Sequence, residues 1–220
     1  MSQPLASNST AEHLQPFSDS IEGLRAVGSQ LWTRGWSLGT SSNYSVVVNR
    51  NPLQLLITAS GKDKGHLGSN DFVLVDEHGK LTLPGQAKSS AETLLHCTAA
   101  QHCGAGAVLH THSVWGTLLS HHFFALGGIR LEGFEMLKGL EGITTHESSF
   151  WLPIFDNTQD IPALQKQVIE YLEKNPNEKC LGYLIRRHGL YTWGKDLAAA
   201  TRHIEVIEFL LECLGRTLHR

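Results

Sequence analysis

The sequence predicts an α/β fold, a three-layer sandwich with a central, mostly antiparallel sheet flanked by helices. Three observations lead there. β-rich runs come first as hairpins, up to about residue 75, and later runs are separated by segments of helical periodicity. Hydrophobic residues make up 41% of 220 residues, enough for a sizeable core. No internal repeat, low-complexity block or linker divides the chain, so 18–220 is read as a single catalytic domain behind a polar, flexible leader over 1–17.

The elements follow in order. Ser18 or Asp19 caps a helix whose apolar positions Ile21, Leu24, Val27 and Leu31 recur at helical spacing, and Gly35 ends it. After the small-residue loop 37–43, Tyr44–Val48 reads as a strand, Asn49–Pro52 as a turn and Leu53–Thr58 as the returning strand. A third strand, Phe72–Val75, meets the turn Asp76–Gly79. A helix is expected over 90–102, a buried strand over 107–112, and a helix over 113–120 capped by Ser113. Periodicity places nothing firmly between 121 and 149. Beyond it come a strand at 151–155, a helix over 159–173, a strand at 180–186, and a last helix opening at Asp196.

Charge and composition exclude several functions. Lys and Arg number 18 against 21 Asp and Glu, so the chain lacks the basic footprint of a nucleic-acid binder or a polybasic membrane anchor. Its apolar runs fall short of the roughly 18 to 20 residues of a membrane helix. The four cysteines, Cys97, Cys103, Cys180 and Cys213, form no Cys-x-x-Cys pair, and no secretory signal precedes them. They are read as reduced thiols of a cytoplasmic protein. Histidine is the excess: there are 13, enough to reverse a net charge of −3 on protonation.

The chemistry begins at His110-Thr111-His112. On a strand, residues i and i+2 share a face, roughly 6.5 to 7 Å apart, so both imidazoles can converge on one zinc at about 2.0–2.1 Å per bond. The bare pattern equally suits an exposed pair. A third ligand has several candidates: His188 in Arg186-Arg187-His188-Gly189, and His96, His121, His122 and His146. Glu92 and His96, four apart, share a helix face, as a catalytic pair or as a hydrogen-bonded surface pair. The loops Thr40–Asn43 and Thr58–Gly65 carry the small residues and hydroxyls of phosphate-binding nests, or are simple turns. Neither a Walker A loop nor a dinucleotide fingerprint is present. Glu135, between Phe134, Met136 and Leu137, lies in an apolar setting that would raise its carboxyl pKa towards acid/base use, unless it is an exposed residue on an amphipathic turn.

In order, Ser42-Asn43-Tyr44-Ser45, Thr58-Ala59-Ser60-Gly61, Ser90-Ala91-Glu92, His110-Thr111-His112 and Arg187-His188-Gly189 resemble the motif series of the class II aldolase/adducin family, from about residue 20 to 215. Three stretches, 60–65, 134–139 and 186–194, resemble its dehydratase branch, which removes water from a methylthio-substituted ketose 1-phosphate in methionine salvage. The resemblance implies one Zn2+ per subunit on His110, His112 and His188, and substrate phosphate at Asn43, Ser60, Gly61 and Ser90. It makes Glu135 the acid/base group and Glu92 the aldolase-type carboxylate, a fourth ligand or auxiliary base. It also implies a homo-oligomer, a tetramer, with a small-molecule substrate and no nucleic-acid or membrane partner. Two departures stand out: Ser42 replaces the family's usual Gly, and Ala91 a frequent Ser. A retro-aldol enzyme acting on a ketose 1-phosphate is the alternative. A non-catalytic adducin-like scaffold is less consistent with the chain, because such members have lost the metal ligands that are kept here.

Overall fold

The computed structural model describes residues 13–218. Eight strands form one mixed sheet: β1 (Asn43–Arg50), β2 (Leu53–Thr58), β3 (Phe72–Asp76), β4 (Ala107–Thr111), β5 (Gly128–Glu132), β6 (Ser149–Phe155), β7 (Gly182–Ile185) and β8 (Gly189–Gly194). Their spatial order is β3-β2-β1-β4-β8-β7-β6-β5, antiparallel throughout except for the parallel β6–β7 pair. Among the described residues, five longer helices flank it: α1 (Ser18–Thr33), α2 (Thr93–His102), α3 (Val114–His122), α4 (Ile161–Lys174) and α5 (Leu197–Leu218).

Alternation along the strands decides which helices lie on which side. On β4, Ala107 and Leu109 join the core under α1 and α5, whereas Val108 joins the core under α2 and α4. On β8, Leu190 faces the first layer, and Tyr191 and Trp193 the second. Strands buried on both faces read as continuous apolar runs, and β2, with Leu55, Leu56 and Ile57 all buried, is one. The sheet is therefore the middle of three layers.

The expected elements are present, with shifts at their ends. The helix expected from residue 90 starts at Thr93. Two strands were not foreseen. β5 lies in the stretch that periodicity did not place. β8 is buried at all six positions, so it shows no polar alternation. Gly189 is required there, since a Cβ would lie 1.9 Å from the Thr111 carbonyl oxygen. The expected flexible leader lies outside the described residues as far as residue 12. Its last five residues depart from that expectation: His13 to Phe17 are helical and Leu14, 3% exposed, joins the core with Ile21 and Leu24.

Candidate functional site

The site lies where β1, β4 and β8 end side by side. Asn43, His110 and Tyr191 are direct cross-strand neighbours on the face covered by α2. The period-2 rule sends Thr111 to the opposite face and returns His112 to the same one. His188 arrives from the β7–β8 turn, which closes through His188 N–H donating to the Ile185 carbonyl at 3.1 Å. α3 braces this turn: Ser113 caps the helix through the Gly116 N–H at 2.9 Å, Thr117 donates to the His188 carbonyl at 3.1 Å, and Ser120 accepts from Arg187 N–H at 3.0 Å.

One donor atom from each of His110, His112 and His188 lies within 4.8 Å of the others. The Nε2 atoms of His110 and His188 are 3.3 Å apart. His110 Nδ1 faces the Leu190 carbonyl at 2.9 Å, which fixes the proton on Nδ1 and leaves the Nε2 lone pair for a ligand. The Tyr191 ring stacks on His110 at 4.0 Å between centroids and sets the imidazole plane. Burial holds all three histidines below their ordinary pKa, with His112 pushed down to about 4 by burial, His188 and Lys64. Three neutral, convergent imidazoles are the donor set that a borderline-soft divalent cation takes. The residues present fit a metal ion.

Glu92 completes the group. It stands just before α2, 15% exposed, with Oε1 at 3.3 Å from His188 Nε2 and Oε2 at 3.6 Å from His110 Nε2. Its Oε2 accepts from Asn43 Nδ2 at 2.8 Å. His96, one turn later, is fully buried, so the surface pairing of Glu92 with His96 is corrected: both belong to the interior of the site. His96 Nε2 meets Asn43 Oδ1, and its Nδ1 meets Ser45 Oγ at 2.8 Å.

The loop residues expected at the phosphate cluster beside Glu92. A bridge between Ala59 and Ser89 and the bond from Ser60 N–H to the Lys88 carbonyl, 2.9 Å, bring Ser60 and Gly61 next to Ser90. Gly61 has φ +71° with open space around it, so its backbone can be approached closely. Asn43 is different. It is buried, and its amide hydrogens are directed to Glu92 and, at 3.2 Å, to Ser90 Oγ.

Glu135 is not brought into this group. It opens a short 3-10 turn, Glu135–Gly139, with its carboxylate 69% exposed and paired to Lys138 and, at 3.5 Å, to His146. The apolar setting expected around it is corrected. The turn buries Leu137 and leaves Glu135 in solvent, where the Lys138 hydrogen bond lowers its carboxyl pKa. The other candidate ligands also lie elsewhere: His121 sits against Arg187 at 2.8 Å, and His122 against Phe123.

Two site residues were missed. Tyr191 lies in the unrecognised strand β8. Lys64 is 1% exposed, although a lysine in a glycine-rich loop reads as solvated. Its ammonium donates to the carbonyls of Lys62 at 2.6 Å and Thr40 at 3.5 Å, tying the two small-residue loops together. Burial lowers its pKa to about 8 against the opposing charges of Asp63 and Asp71.

On the far side of β4, Glu208 of α5 is fully buried beneath the strand that carries His110. It accepts from Thr111 Oγ1 at 2.5 Å, while its second oxygen has no hydrogen-bond partner. Burial raises its pKa to about 7.

Comparison with known proteins gives the same frame. A model of the Class II Aldolase and Adducin N-terminal domain matches residues 22–214. A curated methylthioribulose-1-phosphate dehydratase of Marinobacter nauticus is 46% identical over 203 residues, 92% of this chain and 95% of the relative. One from Sorangium cellulosum is 48% identical over 181 residues, 82% and 84% of the two chains. Among solved structures, an L-fuculose 1-phosphate aldolase superposes with a TM-score of 0.73 at 22% identity, covering 92% of this chain and 89% of that one.

Proposed function

The chain belongs to the class II aldolase and adducin family, and from that premise we propose that it is a lyase that removes water from 5-methylthioribulose 1-phosphate. The product is the 2,3-diketo-5-methylthiopentyl 1-phosphate, a step of methionine salvage. The observation that carries dehydration over carbon–carbon cleavage is the 46% identity, over nearly the whole of both chains, to a curated dehydratase. The aldolase of known structure shares the fold at 22% identity.

His110, His112 and His188 would hold the metal, which we assign as zinc, one per subunit, from the three-nitrogen donor set with a carboxylate beside it. When bound there it supplies Lewis-acid stabilisation of negative charge developing on the substrate's C2 oxygen. The chain's own residues do the rest. Ser60, the Gly61 backbone and Ser90 take the phosphate, fixing the carbon chain relative to the histidines. Asn43, given this role by resemblance, contributes by holding Ser90 and Glu92 in place.

By resemblance, Glu135 is the group that takes the C3 proton, although its surface turn stands apart from the histidines in this structure. Lys138 keeps its carboxyl in the ionised form a base needs. The same proton then passes to the C4 hydroxyl, which leaves as water, and the C3 enol ketonises to the diketone. Glu92 stays by the histidines as an auxiliary base or a fourth ligand. The protein works in the cytoplasm as a homo-oligomer, a tetramer by resemblance. The apolar side chains Val114 and Leu118, exposed on one face of α3, support association of copies.

A second reading is retro-aldol cleavage, favoured by one observation: the aldolase-type carboxylate, Glu92, is the one inside the histidine group. Mass spectrometry of the reaction with zinc-loaded protein separates the two. Dehydration predicts a product lighter by one water, whereas dihydroxyacetone phosphate and an aldehyde would establish the aldolase.

A further inference from the structure

Asn43 and His96 stand between the buried interior of β1 and the carboxylate of the site, and their hydrogen bonds have only one self-consistent direction. The group that Asn43 turns towards Glu92 Oε2, 2.8 Å away, is its NH2, which donates to the carboxyl oxygen. The amide oxygen therefore faces the other way, onto His96 Nε2. An amide oxygen only accepts, so His96 must carry its proton on Nε2. The second ring nitrogen, Nδ1, is then a bare acceptor, and the Ser45 hydroxyl donates a hydrogen bond to it at 2.8 Å. The line of donors runs Ser45 to His96 to Asn43 to Glu92.

The first three members of this line are removed from competing water. Ser45 and His96 are fully buried and Asn43 nearly so. Burial pushes the His96 pKa down to about 3, so the ring remains neutral and keeps one proton to place. The Tyr191 ring lies edge-on to His96 at 5.7 Å and limits rotation of the imidazole. The second Asn43 amide hydrogen goes to Ser90 Oγ at 3.2 Å, so one amide orientation serves both the carboxylate and the loop beside it. Were the amide reversed, its oxygen would face the Glu92 carboxylate, an unfavourable meeting of two acceptors in a buried site.

We propose that His96 is a positioning residue: through its Nε2 proton it locks the Asn43 amide, and the locked amide holds Glu92 against His110 and His188 and Ser90 beside it. The inference rests on the functional reading above for its kinetic consequence, but not for the orientation of the network. A histidine that merely filled the core beneath α2 would show no such directional requirement.

Two measurements test it. Long-range 1H–15N correlation spectra of 15N-histidine-labelled wild-type protein report the His96 tautomer without any substrate. The Nε2–H form is expected from pH 6 to 8; the Nδ1–H form or an imidazolium overturns the proposal. The kinetic test uses two variants. In His96→Gln the amide nitrogen can stand where Nε2 stood and restore the donor, whereas His96→Asn reaches only to the Nδ1 position and keeps a partner for Ser45 alone. A small displacement of a site group loses roughly 10²-fold in rate. His96→Asn should therefore lose about that factor in kcat with KM changed less than about threefold, and its metal content should match wild type. His96→Gln should recover most of the rate. Equal loss in both variants, or no loss in His96→Asn, overturns the proposal. If wild-type protein fails to dehydrate the substrate, the functional reading falls, while the tautomer still decides whether the lock exists.

Discussion

Glu92 and Glu135 both open short helical segments, yet the fold treats them in opposite ways. Glu92 is closed in by Asn43 and His110, which stand on paired strands, and by His188 of the β7–β8 turn. Glu135 lies on a surface turn, where Lys138 and His146 are its partners. The pair is exposed and screened by solvent, so Glu135 can leave its partners at little loss. A carboxylate inside a directional network is far harder to move. The difference suggests a division of labour: a fixed carboxylate that shapes the centre, and a recruitable one that carries a proton.

The largest expected effect is the loss of the centre itself. His110→Ala removes a proposed ligand and uncovers Tyr191. It should abolish metal retention, measured by elemental analysis after dialysis, and reduce kcat/KM by at least about 10³-fold. Full activity in that variant would break the comparison at its root.

Next come the two carboxylates. A positioned acid/base contributes about 10²–10⁴-fold. Glu135→Gln should lose that much in kcat while metal stays bound. Glu92→Gln should lower metal affinity as well as rate, since it disturbs the histidine group directly. If Glu135→Gln is active and Glu92→Gln alone abolishes turnover, with retro-aldol products in the wild type, the roles reverse.

Below the site, Glu208 gives a pH signature. Its folded pKa, about 7, lies above the ordinary 4.5. The folded state therefore binds the extra proton between these values, so this group stabilises fully below about pH 4.5 and the contribution is lost as pH rises through about 7. The span is on the order of 3 kcal/mol. In Glu208→Gln that dependence disappears, and its thermal midpoint relative to wild type should become more favourable from pH 5 to pH 8. An unchanged difference would contradict the assignment of Glu208 as a buried, proton-carrying support for Thr111.

The smallest effect is at Ser42, which has φ +71°. A non-glycine residue in this region is strained by roughly 1 kcal/mol or more. Part of the gain from glycine is offset by its freedom in the unfolded chain. Ser42→Gly should raise the midpoint slightly and leave the Glu92 region unchanged; a lower midpoint would show the hydroxyl doing more than filling the turn.

Much of this was legible before the structure, for physical reasons. Alternation on β4 put His110 and His112 on one face, whereas His188 stood among five candidates for the third ligand until the family resemblance singled it out. The ordered small-residue motifs marked the loops that gather beside Glu92. What was not legible depends on tertiary environment. The spacing of Glu92 and His96 suits a surface pair as well as an interior one, and only the sheet beneath α2 decides between them. β8 hid because a strand buried on both faces has no polar period. Lys64 hid because nothing local distinguishes a buried lysine from a solvated one. Glu135 misled because its apolar neighbours in sequence, such as Leu137, turn into the core while it turns out.

The most direct test of the central claim is a metal titration of chelator-stripped protein, with product formation followed at each addition. The account predicts dehydration activity that rises in proportion to added zinc and saturates at one equivalent per chain, with loss of water as the reaction and no cleavage of the C3–C4 bond. Dehydration at full rate in stripped protein, or saturation unaffected by His110→Ala, would contradict a reaction centred on His110, His112 and His188.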